Sequence, residues 1–174
     1  MQDFKVELLT KSNSDLFFHL IDTNRNRLED FFAGTVARTL TLEDTKEYCA
    51  EIETKIKEKT YFPYMIIDQK TKMFIGLIDV KNIDWSIPKA ELGAFIDSNF
   101  EGKGIVFNSV SGLIDEIVKE HGFKKLLCRI SNRNSRSINV ALKSGFELEG
   151  TIRYDYKTTK GEIVDLNYYG KIFK

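Results

Sequence analysis

The sequence predicts a mixed α/β fold of about seven strands and about four helices. Three observations carry that prediction. Short strand-like runs come in closely spaced pairs joined by turn residues. Longer runs repeat apolar residues every three to four positions, the period of a helix with one buried face. In the middle, a strand-like run (Ala90 to Asp97) passes through Glu101-Gly102-Lys103-Gly104-Ile105-Val106 into a long amphipathic run (Gly104 to His121). With hairpins at both ends and one helical crossover, residues 1–174 are expected to form a single domain, long enough to bury a sizeable core.

The elements follow in order. Lys5 to Thr10 reads as a short strand, and Ser14 to Thr23 as a helix with Leu16, Phe17, Leu20 and Ile21 on one face. Asn24 to Arg38 lacks a clean period and is expected to be a short helix or a loop. Thr41-Leu42-Glu43-Asp44 resembles a capping box and should open a helix ending near Lys59, its stripe being Leu42, Thr45, Cys49, Ile52 and Ile56. Phe62 to Asp68 and Met73 to Val80 form a hairpin about Gln69 to Lys72, and Ala90 to Asp97 is the next strand. The central helix presents Val106, Val110, Leu113, Ile114, Ile117 and Val118 as one apolar face and stops at Gly122. Lys125 to Ser131 is a buried strand, Asn134 to Lys143 a short helix stopped by Gly145, and Phe146 to Tyr156 and Glu162 to Phe173 a closing hairpin.

Composition excludes several classes. The chain is 42% apolar and 30% charged, which suits a globular fold rather than disorder. Basic and acidic residues number 26 each, so electrostatically driven binding to nucleic acid is not expected. No apolar run approaches the ~20 residues that span a bilayer, so no membrane association is expected. The opening residues Met1-Gln2-Asp3-Phe4 lack a basic segment followed by an apolar stretch, so no secretory signal is expected either. Cys49 and Cys128 are far apart and suit reduced core thiols in a cytoplasmic protein. His19 and His121 are isolated, which gives no metal-ligand spacing.

The glycine-bearing loop is the most informative segment. The first turn of a helix has N–H donors without intrahelical partners and lies at the positive end of the helix dipole. Gly102 and Gly104 let an anion approach the main chain, and Lys103 adds a formal positive charge. The plain alternative is a strand-to-helix turn without a ligand. The Gly-x4-Gly-Lys-Ser/Thr pattern of a phosphotransferase loop is not present.

Three further segments stand in a recognisable order. Glu91-Leu92-Gly93-Ala94-Phe95-Ile96-Asp97 leads into Phe100-Glu101-Gly102-Lys103-Gly104; Asn134-Ser135-Arg136-Ser137 leads to Lys143-Ser144-Gly145-Phe146; then comes Phe146 to Arg153, with Asp165 in the final strand. By these motifs the chain resembles the GNAT superfamily of acetyl-CoA-dependent N-acetyltransferases, most of all its RimJ/RimL-like branch, which acetylates the N-termini of ribosomal proteins. The resemblance implies a central, mostly antiparallel twisted sheet and acetyl transfer to a primary amine by direct attack in a ternary complex. It implies acetyl-CoA without a metal, and an acceptor that is a peptide N-terminus, a polyamine or an amino sugar; homodimers are frequent in the family.

It also implies residue roles. Ala94, Phe95 and Ile96 match the strand that pairs with the pantetheine arm, and Gly102, Lys103, Gly104, Ile105 and Val106 the loop that holds the pyrophosphate. Asn134 matches a contact to the cofactor arm, with helix N-capping as a compatible alternative. The family loop begins with Gln or Arg and ends with Gly or Ala, where this chain has Glu101 and Val106. Glu101 is therefore expected to point to solvent. The tyrosine that many members place seven residues after the Asn is Ala141 here. Ser137 is the candidate donor to the departing thiolate, its alternative being a solvent-facing serine. Glu91 is the candidate general base, on a strand face with Gly93, Phe95 and Asp97, and its alternative is an exposed strand carboxylate. Glu149 is a second carboxylate considered for that role, and Cys128, within an apolar run, reads as a core thiol. The acceptor is expected between the early helical segment (Arg25, Arg27, Phe31, Phe32) and the last two strands. A non-catalytic acyl-CoA-binding module is the alternative to an enzyme.

Overall fold

A computed structural model describes residues 3–174; Met1 and Gln2, which belong to the opening segment read for a secretory signal, lie outside them. Seven strands form one sheet: β1 (Phe4–Leu8), β2 (Phe62–Asp68), β3 (Phe74–Asp84), β4 (Lys89–Ile96), β5 (Lys125–Ser131), β6 (Glu147–Lys157) and β7 (Ile163–Ile172). The spatial order is β1-β2-β3-β4-β5-β7-β6. All neighbours are antiparallel except β4 and β5. That parallel pair needs a crossover, which α4 (Ile105–His121) provides.

The other helices are α1 (Ser14–Leu28), α2 (Ala33–Ala37), α3 (Leu42–Lys57) and α5 (Ser135–Lys143). The described residues thus hold five α-helices where the sequence suggested about four. The addition is α2, in the aperiodic stretch expected to be a short helix or a loop. α1 also runs five residues past Thr23: Asn24 is buried there and donates to the Leu20 carbonyl, and Leu28 joins the core. A polar residue inside the turn hid the continuation.

Strand alternation divides the core. Tyr64 and Ile66 of β2 face α4, with Val110, Leu113, Ile114 and Ile117; Met65 and Ile67 face α1 and α3, with Phe17, Leu20, Ile21, Cys49 and Ile52. Burial on both faces explains why β2 reads as a continuous apolar run. The capping box at Thr41 forms: its hydroxyl accepts from Asp44 N–H, and Asp44 accepts from the Thr41 N–H at 3.0 Å. In α3 the stripe centres on Thr45, Tyr48, Cys49 and Ile52, while Leu42 and Ile56 are only half-buried.

Candidate active site

β4 and β5 pair only through Lys89, Ala90 and Glu91 against Lys125, Leu126 and Leu127, then diverge. From Leu92 onward β4 keeps its partner β3 on one side and turns an unpaired main-chain edge to the other. A cleft of about 870 Å³ occupies this opening, lined by Gly93, Ala94, Phe95 and Ile96 of β4, by Cys128 to Ser131 of β5 and by residues of α4 and α5.

The glycine loop closes one end of the cleft. Gly102 and Gly104 have φ of 75° and 72°, a left-handed conformation that glycine adopts without steric cost. Gly104 caps α4, and the first intrahelical bond runs from Asn108 N–H to its carbonyl at 3.1 Å. The N–H groups of Ile105, Val106 and Phe107 precede that bond and so have no partner within the helix. Gly102, Gly104, Ile105 and Val106 all line the cleft. Orphan amides at a positive helix end, continuous with an open strand edge, fit a pyrophosphate followed by an extended arm carrying amides of its own.

Two side chains of the loop depart from expectation. Glu101 does not point freely to solvent. Its carboxylate bridges Arg27 of α1 and Arg136 of α5, one oxygen to each. Two guanidinium groups face the loop from different elements, and a carboxylate is the nearest anion to satisfy them. The Lys103 ammonium donates to the Asn99 carbonyl at 3.0 Å and sits over the Phe100 ring, and Lys103 is not among the residues that line the cleft.

Across the cleft, Asn134 caps α5 by accepting from the Ser137 N–H at 3.1 Å, and both residues line the cavity. Ser137 is half-buried, with no hydroxyl partner among the described residues. Ala141, at the position of the absent tyrosine, is buried in the cleft wall.

Glu91 also faces the cleft, its side chain 12% exposed, so it is not a free surface carboxylate. One oxygen, Oε2, accepts from Arg129 Nε at 2.9 Å and from Asn82 Nδ2 at 2.8 Å. Arg129 continues to Asp155, which also accepts from the Tyr168 hydroxyl at 2.8 Å. Glu149 lies elsewhere, paired with Lys125, and does not reach the cleft. Cys128 is half-buried, packed against the core and bordering the cleft; burial, with the Glu91 charge beside it, pushes its thiol up to about 12 and suppresses the thiolate.

The hairpin of β6 and β7 docks on the segment between α1 and α2. Tyr156 stacks on Phe31 with ring centroids 5.5 Å apart and donates its hydroxyl to the Asp30 carbonyl; Thr159 donates to the Asp30 carboxylate at 2.8 Å. Phe32 meets Phe95 edge-on at 5.2 Å. Of the four residues named on the early helical segment, Phe31, Phe32 and Arg27 reach the cleft, whereas Arg25 bonds Asp22 and the Val36 and Thr39 carbonyls. On the last two strands, Tyr169 lies in the core and Tyr154 is exposed. Sequence reading passed over Asp79, Lys81, Arg129 and Arg136. Arg136 stands inside a quoted motif; the other three lie in strands that signal only burial.

A family model described as an acetyltransferase (GNAT) domain matches residues 7–147. An N-acetyltransferase of Bacillus licheniformis, p20, is 29% identical over 103 residues, 59% of this chain and 57% of that one. The ribosomal-protein-serine acetyltransferase of Escherichia coli is 25% identical over 130 residues, 75% of this chain and 71% of that one. Among solved structures, the RimL ribosomal L7/L12 alpha-N-protein acetyltransferase in complex with coenzyme A superposes with a TM-score of 0.89 at 19% identity, covering 99% of this chain and 96% of that one.

Proposed function

Because the chain belongs to the GNAT acetyltransferase domain family, we propose that it transfers the acetyl group of acetyl-CoA to a primary amine. One observation carries the reading: the open edge of β4 runs into the unpaired amides that begin α4. Bound there, acetyl-CoA supplies the thioester carbonyl that the amine attacks. Ala94, Phe95 and Ile96 offer main-chain groups to the pantetheine arm, while Gly102, Gly104, Ile105 and Val106 offer amides to the pyrophosphate. The Lys103 contribution is its main chain, since its ammonium is engaged elsewhere. Asn134 keeps Nδ2 for the cofactor arm while Oδ1 caps α5.

Ser137 takes the role of hydrogen-bond donor to the leaving sulfur, with the hydroxyl aimed by the first turn of α5. Glu91, held by Arg129 and Asn82 through Oε2, keeps Oε1 for the proton of the amine. In this reading residues 1–174 form one acetyl-transfer domain acting in the cytoplasm. The relatives named for acetylating ribosomal proteins favour a peptide N-terminus as acceptor. The family resemblance adds a homodimer to the same proposal.

The test is calorimetry with acetyl-CoA and CoA, followed by release of free CoA thiol with peptide, polyamine and amino-sugar acceptors. Heat with both ligands and thiol release with at least one amine support the enzyme. Heat without thiol release from any amine identifies a non-catalytic binding module, which Ala141 and the Glu101 bridge would suit. No heat with either ligand removes the assignment.

A further inference from the structure

A second cavity, of about 450 Å³, lies beneath the α1–α2 segment and shares Phe31, Phe32, Lys81 and Tyr156 with the main cleft. Its other aromatic walls are Tyr48 and Tyr61. At its floor stands Asp79, 3% exposed. Asp79 Oδ1 accepts the Tyr61 hydroxyl at 2.5 Å. Oδ2 accepts no hydrogen bond among the described residues; the cation facing it, Lys81 Nζ, is 4.0 Å away. Burial raises the affinity of Asp79 for its proton, opposed by Lys81 and Tyr61. Oδ2 thus opens on the cavity opposite a cation at the outer limit of an ion pair, which leaves room for a closer cationic donor.

Lys81 shows what that ligand resembles. Its ammonium lies between the Asp79 carboxylate and the Phe32 ring, 5.5 Å from the ring centroid. A carboxylate and an aromatic face are the two groups that recognise a primary ammonium. The same Nζ lies 3.3 Å from where a Cβ on Gly93 would stand, and Gly93, opposite Asp79 in the β3–β4 register, lines the main cleft. The chain's own primary amine thus rests at the junction of the two cavities, beside the β4 edge.

We propose that Asp79 and the Phe32 ring form an ammonium subsite for the acceptor, filled by Lys81 in the free enzyme and taken over by an incoming cationic amine. That the occupant is the acetyl acceptor rests on the acetyl-transfer reading. The lining selects its class. Asp79 is the cavity's one carboxylate, against Lys55 and Lys81, so a second positive charge on the ligand meets repulsion. Aromatic walls complement an apolar or aromatic body. The subsite therefore takes a monocationic primary amine in preference to a polycation.

Calorimetric titration of tyramine and spermidine into the free and CoA-saturated protein tests this. The wild type is expected to bind tyramine more tightly than spermidine. Asp79→Asn should weaken tyramine at least tenfold, and Lys81→Met should tighten it at least threefold, both leaving CoA affinity unchanged. Tyramine affinity indifferent to Asp79→Asn, weakened by Lys81→Met, or absent in the wild type overturns the subsite. A wild type that binds tyramine in this pattern but not CoA instead overturns the acetyl-transfer reading and spares the subsite. Should Asp79→Asn fail to fold by circular dichroism, the sign of the Lys81→Met effect decides.

Discussion

In the proposed reaction Ser137 has one task, which is to donate a hydrogen bond to sulfur as charge develops there. Ser137→Ala should lower kcat by roughly ten- to a hundredfold while the KM for acetyl-CoA stays nearly constant, because the lost contact exists mainly in the transition state. Initial rates of thiol release measure it, and unchanged turnover removes the residue from the mechanism. Asp79 gives a second residue-scale prediction. Burial makes the native carboxyl hold its proton more tightly than the unfolded chain does. Above the ordinary carboxylate range the folded state therefore binds more protons than the unfolded one, and stability falls as pH rises toward the native pKa. Asn does not titrate. Thermal melts should show Asp79→Asn gaining on the wild type as pH is raised above the ordinary carboxylate range; a constant difference would contradict the sign. The place of Ser137 in the cleft lining was legible because it stands in the Asn134 to Ser137 motif. Asp79 was not, because a lone carboxylate in Phe74 to Val80 carries no mark of Tyr61, its partner immediately before β2.

At the scale of elements, the loop into α4 makes opposite demands at neighbouring positions. Gly104→Ala forces a left-handed backbone on a residue with a Cβ, which should cost about 1 kcal/mol in a denaturant melt and weaken CoA in calorimetry. Glu101→Gln should act the other way. It releases Arg27 and Arg136 from an internal anion, so both become available to the cofactor's phosphates. CoA should bind roughly three- to tenfold more tightly, with a steeper decline as salt is raised. Weaker binding would show instead that the bridge holds the loop in shape. The loop's backbone was legible from Gly102 and Gly104, whose conformational need is local. The direction of Glu101 was not, since it depends on arginines 74 and 35 residues away in sequence. Boundaries erred for the same reason. β3 runs past Val80 to Asp84 because Lys81 and Asp84 find partners in Glu91 and Lys89, a tertiary match invisible in the run itself.

At the scale of the whole molecule, the succession of strands and helices was legible in the sequence, whereas the junction of two cavities needed three separated segments brought together. The sheet divides into β1–β4 and β5–β7, joined directly by three residue pairs. A guest inserted between them is then also a keystone, bonded to one half-sheet and packed on the other. Saturation at a hundredfold over Kd should add about 2.7 kcal/mol to stability by mass action, seen as a rise in Tm. A nucleotide fragment without the pantetheine arm would grip only the loop and leave the wedge empty. Hydrogen exchange at residues 92–96 should slow sharply with intact CoA and little with that fragment, so one half of the ligand ties the arch together and the other merely hangs from its end.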